Sequence, residues 1–139
     1  MLFGKTIVVT GVASGIGRRT AELAGQLGAE VIGIDRTRPD QTFGQFLEGD
    51  IGTADGVAAI VDALPDRLDG LCNVAGVSGN TGAANTLAIN FFGLRSLATG
   101  LAPKLRDGGS VVNVASIAGY GWRDNAARAA AIARTDGFP

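Results

Sequence analysis

The chain has 139 residues, 46% of them hydrophobic, and a formal net charge of −1. That length suits one domain with a packed core, and the charge gives no electrostatic reason to expect nucleic acid or an acidic membrane surface as partner. The absence of histidine excludes a Ser-His-Asp triad, a Cys-His pair and a His-ligated metal, and the single cysteine, Cys72, excludes a thiolate zinc site.

No apolar run approaches the roughly 18 residues of a membrane span. Met1-Leu2-Phe3-Gly4-Lys5 lacks the basic and then long apolar segments of a signal peptide. The sequence therefore predicts a soluble, cytoplasmic protein with no membrane partner. Cys72, inside an apolar run, reads as a small buried hydrophobe in a reducing compartment.

The first strand is predicted at Thr6–Thr10, and Thr10-Gly11-Val12-Ala13-Ser14-Gly15-Ile16-Gly17 follows it. A helix over Arg18–Leu27 comes next, with Gly28 as its stop. Strand, glycine turn and helix N-terminus in that order cradle an anion. Glycines let backbone N–H groups approach a pyrophosphate, and the helix aims its unpaired N–H groups and positive dipole end at the same place. The spacing departs from the common dinucleotide pattern, because Gly11 and Gly15 are three residues apart before Gly17 closes the turn. A second strand, Val31–Ile34, ends in Asp35, where a carboxylate can accept both hydroxyls of an adenosine ribose and repel a 2′-phosphate. Turn and acid together predict NAD(H).

A polar loop over Arg36–Gln45 leads to a short strand, Phe46–Glu48, and then to Asp50-Ile51, where a carboxylate and a backbone N–H can hold an adenine ring. A helix over Thr53–Leu64, capped by Thr53 or Asp55, halts before Pro65. The fourth strand, Gly70–Val74, runs into Asn73-Val74-Ala75-Gly76, whose small residues let the chain pass beside a cofactor. A Gly/Ser/Asn-rich loop, Val77–Thr86, precedes a long helix over Leu87–Leu101, and Ser110–Val114 is the fifth strand, followed by Ser116. Continuous apolar strands alternating with helices predict an α/β fold: a doubly wound, Rossmann-like parallel sheet in one domain over residues 1–139. Neither an internal repeat nor an interdomain linker interrupts it.

In order and spacing, Thr10–Gly17, Asp35, Asp50-Ile51, Asn73–Gly76, Asn90 and Ser116 resemble the short-chain dehydrogenase/reductase family, from about Lys5 to at least Gly119. Lys5–Gly17, Val31–Arg36, Leu68–Gly76, Asn90–Leu94 and Gly108–Ser116 are most similar to its coniferyl-alcohol dehydrogenases and its 3α-hydroxysteroid dehydrogenase/carbonyl reductase group. The resemblance implies that Gly11, Ser14, Gly15, Ile16 and Gly17 line the pyrophosphate and adenosine side. Asp35 holds the adenosine ribose, Asp50 and Ile51 flank adenine, and Asn73, Ala75 and Gly76 border the nicotinamide-side ribose. Arg36 offers the competing reading, since a guanidinium beside the ribose can accept a 2′-phosphate; with Asp35 present and no basic residue at Ala13, NAD is preferred. Ser116 is implied to hydrogen-bond the substrate oxygen and Asn90 to hold a proton-relay water. The substrate class implied is a hydrophobic alcohol or its carbonyl, and a homo-oligomer is expected of the intact protein.

The family's general acid/base, a tyrosine with a lysine four positions on, has no counterpart here. Tyr120 is the only tyrosine, and position 124 is Asp124. Tyr120 and Trp122 are expected to wall the substrate entrance or pack in a core, and Asn125–Arg134 is expected to be helical. The sequence is thus read as the N-terminal, cofactor-binding part of an oxidoreductase, truncated after the fifth strand, whose edge would expose apolar surface. The alternative is a non-catalytic dinucleotide-binding module or truncated pseudoenzyme.

Overall fold

The computed structural model describes residues 1–138. Five strands form one sheet: β1 Thr6–Thr10, β2 Glu30–Asp35, β3 Gln45–Glu48, β4 Leu68–Asn73 and β5 Leu105–Asn113. All pairings are parallel and the order is β3-β2-β1-β4-β5. The chain leaves β1 towards one edge and returns beyond β1 to build the other. The crevice at that reversal, outside the carboxyl ends of β1 and β4, is where such sheets take ligands.

Successive apolar residues serve opposite faces of the sheet, which explains the unbroken strands in the sequence. Val9 and Val31 face Ala21 and Ala24 of α1 (Gly15–Gln26) in one core. Val8, Ile32, Ile34 and Leu71 face the other, filled by Val57 and Ile60 of α2 (Ala54–Ala63) and by Ile89, Leu97 and Leu101. The ends of α1 and α2 follow from local chemistry. Thr53 caps α2 by accepting the Gly56 N–H, which settles the choice between Thr53 and Asp55. Gly28, at φ +95°, ends α1: its N–H donates to Gly25 C=O and the Ala29 N–H to Ala24 C=O, satisfying two terminal carbonyls.

Three predicted boundaries need correction. β5 begins at Leu105, not Ser110, because it pairs with β4 from Leu68↔Leu105 across an irregularity that absorbs the turn-like Gly108 and Gly109. The loop assigned to Val77–Thr86 is helical at Gly79–Thr81 and in α3 (Ala83–Leu87). The long helix is not uniform either: α3 passes into a π turn at Ala88–Gly93 before resuming as α4 (Leu94–Leu101).

Beyond β5 the chain forms a 3-10 stretch, Ile117–Asn125, and α5 (Ala126–Ala133). Arg95 anchors the end of α5 and the residues after it, donating to the carbonyls of Ala133, Thr135 and Gly137 while its guanidinium lies over the Phe91 and Phe92 rings. β5 is the edge strand, and its Val111 and Val112 are exposed, Val112 to 55%. No described helix is long and apolar enough to cross a membrane.

Candidate cofactor site

The glycine turn departs from β1 with its backbone pinned to β2: the Gly11 N–H donates to Ile34 C=O at 2.8 Å. Gly11 sits at φ +77°, and a Cβ there would lie 2.8 Å from Ala75 Cα. A Cβ on Gly17 would lie 2.1 Å from the Gly11 carbonyl oxygen. The three segments meeting here therefore touch backbone to backbone, which only glycine allows. Ser14 precedes α1 in an extended conformation without capping it through its side chain, and the first turn carries no acid. The N–H groups of that turn are left for an external acceptor.

A cleft of about 530 Å3 opens between this turn and the ends of β2 and β4, within the usual size for a small-molecule site. Gly11, Ser14, Gly15, Ile16, Gly17, Asp35, Arg36, Asp50, Ile51, Ala75 and Gly76 all line it. Asp35 bridges the two loops above the sheet: Oδ2 accepts the Ala13 N–H at 2.9 Å and Oδ1 the Thr37 N–H at 3.1 Å. Its carboxylate is thus held in a fixed orientation at the cleft. Asp50 Oδ1 likewise accepts the Gly52 N–H at 2.8 Å, fixing the loop that presents Ile51.

Asn73 does not line the cleft. It is 2% exposed at the end of β4, where Nδ2 donates to Asn113 Oδ1 at 2.9 Å and its own Oδ1 has no donor. Asn73 is the last residue of β4, buried on the face it shares with Leu71, whereas Ala75 and Gly76 lie beyond the strand's end, at the crevice. Its role in this structure is to join β4 to β5.

Asn90 and Ser116 also stand outside the cleft lining. Asn90 grips Val77, a lining residue, through both backbone groups: Oδ1 accepts the N–H and Nδ2 donates to the C=O, each at 2.8 Å. Ser116 is exposed and caps the 3-10 stretch, its Oγ accepting the Ala118 N–H at 3.1 Å. Tyr120 is 87% exposed and Trp122 56%, so neither packs in a core. Cys72 is partly buried against the α1-side core, and burial pushes its thiol pKa up, as for a structural cysteine. Among the described residues no cluster of acidic or sulfur ligands could hold a metal.

Sequence reasoning missed Thr10. It is buried at the end of β1, and its Oγ1 accepts the N–H groups of Val74 and Ala75, both at 3.0 Å. One hydroxyl thereby fixes the crossover beside the cleft. A polar residue closing an otherwise apolar strand was the available signal. Thr37 was missed because it contributes only a backbone N–H.

Comparison with known proteins gives the same picture. A family model described as "short chain dehydrogenase" matches residues 5–138. The coniferyl-alcohol dehydrogenase of Pseudomonas sp. (strain HR199 / DSM 7063) is 41% identical over 121 residues, covering 87% of this chain and 48% of the relative. Among solved structures, the 3-alpha-hydroxysteroid dehydrogenase of Pseudomonas sp. B-0831, complexed with NADH, superimposes with a TM-score of 0.71 at 36% identity. That match covers 94% of this chain and 58% of the other. Pseudomonas aeruginosa RhlG, in an active-site complex with NADP, gives a TM-score of 0.74 at 28% identity over 85% of this chain and 55% of its own. The chain thus spans about half the length of these relatives.

Proposed function

The chain belongs to the short-chain dehydrogenase/reductase family, and from that premise we propose that it forms the cofactor-binding part of an NAD(H)-dependent oxidoreductase acting on a hydrophobic alcohol or its carbonyl. The observation that carries the cofactor choice is Asp35, whose carboxylate is held at the cleft by the amides of Ala13 and Thr37. A carboxylate so placed accepts ribose hydroxyls and repels a 2′-phosphate.

A bound nicotinamide dinucleotide would supply or accept the hydride. The turn residues Gly11, Ser14, Gly15, Ile16 and Gly17 hold its pyrophosphate through backbone N–H groups, and Asp50 with Ile51 flanks the adenine. Ala75 and Gly76 border the other nucleoside, on the wall that Thr10 and Asn90 fix from behind. Ser116 orients the substrate oxygen, and Asn90 supports the water through which a proton leaves. The substrate class rests on two relatives, whose names specify coniferyl alcohol and a 3-alpha-hydroxysteroid.

Arg36 supports a second reading for the cofactor, NADP(H), because its side chain also lines the cleft beside Asp35. The sole tyrosine, Tyr120, has Asp124 four positions on and lies exposed, which favours a second reading for the activity: dinucleotide binding without turnover. Calorimetric titration with NADH and NADPH separates the cofactor readings. NADH should bind tighter by about tenfold or more, a difference of about 1.4 kcal/mol. Asp35→Ala should erase that preference. Tighter binding of NADPH by the unsubstituted chain would move the assignment to Arg36, and binding of neither would remove the dinucleotide from the cleft.

A further inference from the structure

Ile89 and Gly93 lie four residues apart in the π turn, and so share one face of the helix, with Asn90 beside them. A widened turn in the middle of an α-helix gives up regular hydrogen bonding and frequently occurs at functional sites. Here its six residues reach both walls of the cleft. Gly93 rests directly on the Ile51 carbonyl, since a Cβ there would lie 2.0 Å from that oxygen and 2.9 Å from its carbon. Ile89 is buried, lines the cleft, and packs under Gly52, whose added Cβ would lie 3.1 Å from Ile89 Cγ1. Asn90 grips Val77 on the opposite wall through its two 2.8 Å bonds.

We infer that the π turn Ala88–Gly93 is the joint that sets the distance between the two walls of the cleft, with Gly93 as a positioning residue for the adenosine wall. The contacts leave little slack. The loop around Ile51 cannot approach further because backbone meets backbone at Gly93, and it is supported from below by Ile89. The Val77 wall is fixed from the same six residues by a side chain that satisfies both its backbone groups. Displacing the turn therefore moves both walls, although they come from separate strands and do not bond to each other. A regular helix over the same residues would change the angle between Asn90 and Gly93 and could not hold both contacts.

The assignment of a ligand rests on the dinucleotide reading above; the joint itself does not. Amide hydrogen exchange of the whole chain tests it without any ligand. Gly93→Ala should speed exchange by about tenfold or more at residues 50–57 and also at 76–78. Gly100→Ala is the matched control on α4, because its Cβ meets only the Val61 side chain, at 2.8 Å, away from the cleft. It should leave both segments as they are. Equal exchange in the two variants overturns the joint. If Gly93→Ala does not fold, Asn90→Ala decides: faster exchange in both segments upholds the coupling, and faster exchange at 76–78 alone overturns it. In the same preparations, NADH should bind Gly93→Ala about tenfold or more weaker than Gly100→Ala. Coupled exchange in a chain that binds no NADH would sink the dinucleotide reading and leave the joint standing.

Discussion

Gly17→Ala puts the backbone geometry of the glycine turn to its sharpest test. The added methyl would lie 2.1 Å from Gly11 O, 2.6 Å from Gly11 C and 2.9 Å from Thr10 O. Real Cβ atoms do not approach other atoms within 3.0 Å, so α1 must withdraw from the turn by roughly an ångström. All three obstructing atoms are backbone, and none can rotate aside. Withdrawal also loosens Ala21 and Ala24 from the core they form with Val9 and Val31. Overpacking costs typically 1–3 kcal/mol, and an immovable neighbour puts this case at the upper end, about 3 kcal/mol. Gly15→Ala is the internal control. It meets no atom within 4 Å and carries only the left-handed backbone at φ +53°, a strain of about 1–2 kcal/mol. Urea denaturation should rank the variants in that order at unchanged m-value. NADH affinity should fall about a hundredfold for Gly17→Ala, or about 2.7 kcal/mol, because the N–H groups of the first turn no longer converge with those of the loop. A Gly17→Ala chain as stable as wild type, with wild-type affinity, would refute the close contact and the cradle built on it.

Thr10→Val keeps shape but leaves the partly buried N–H groups of Val74 and Ala75 without an acceptor. At about 1–3 kcal/mol per orphaned group, two groups give about 2–6 kcal/mol, and their partial burial puts the loss in chemical denaturation in the lower half of that range; Thr10→Ser should recover all but about 1 kcal/mol of it. Asp69, whose side chain is 9% exposed, should govern the acid limb of the stability curve. The Thr6 N–H holds its pKa below the usual carboxylate value, against opposing burial, with further help from the Lys5 hydrogen bond and the Arg106 and Lys5 charges. A carboxyl depressed on folding contributes stability that is complete above its unfolded pKa, near 4, and is lost as pH falls through the lower folded value. Melting temperatures of wild type should therefore drop below about pH 4 more steeply than those of Asp69→Asn. Parallel curves would show that this carboxylate does not differ between folded and unfolded states.

Much of the cleft lining was legible because it is written in residue types. Glycines at 11, 15 and 17, an acid ending β2 and small residues after β4 each have one reason to stand where they do, and the structure brings them to one cleft. What the sequence concealed was relational. Thr10 looks like any strand threonine until β1 is known to lie beside β4. Asn73 looks like a lining residue of the cleft until the β4–β5 register sets it beside Asn113. The π turn leaves no trace in a hydrophobic pattern read at 3.6 residues per turn, and Arg106-Asp107-Gly108-Gly109 reads as a loop although β5 already runs through it.

The distribution of internal support divides the site in two. Every wall of the cleft is held by a partner within the chain: the turn by Ile34, the Asp35 carboxylate by Ala13 and Thr37, the β4 crossover by Thr10, and the Val77 wall by Asn90. Ser116 is different. It follows an edge strand whose Val112 is 55% exposed, among the described residues its hydroxyl is bound only to the local Ala118 N–H, and Tyr120 and Trp122 beyond it are open to solvent. A group that must orient a reacting oxygen needs its position fixed from several directions, and here only one contact fixes it. On the proposed function, grip on the dinucleotide and chemistry at Ser116 are therefore separable properties. The first is set by contacts between β1, β2, β4 and the π turn. The second depends on whatever covers β5, so that covering this strand should change turnover while leaving cofactor affinity in place.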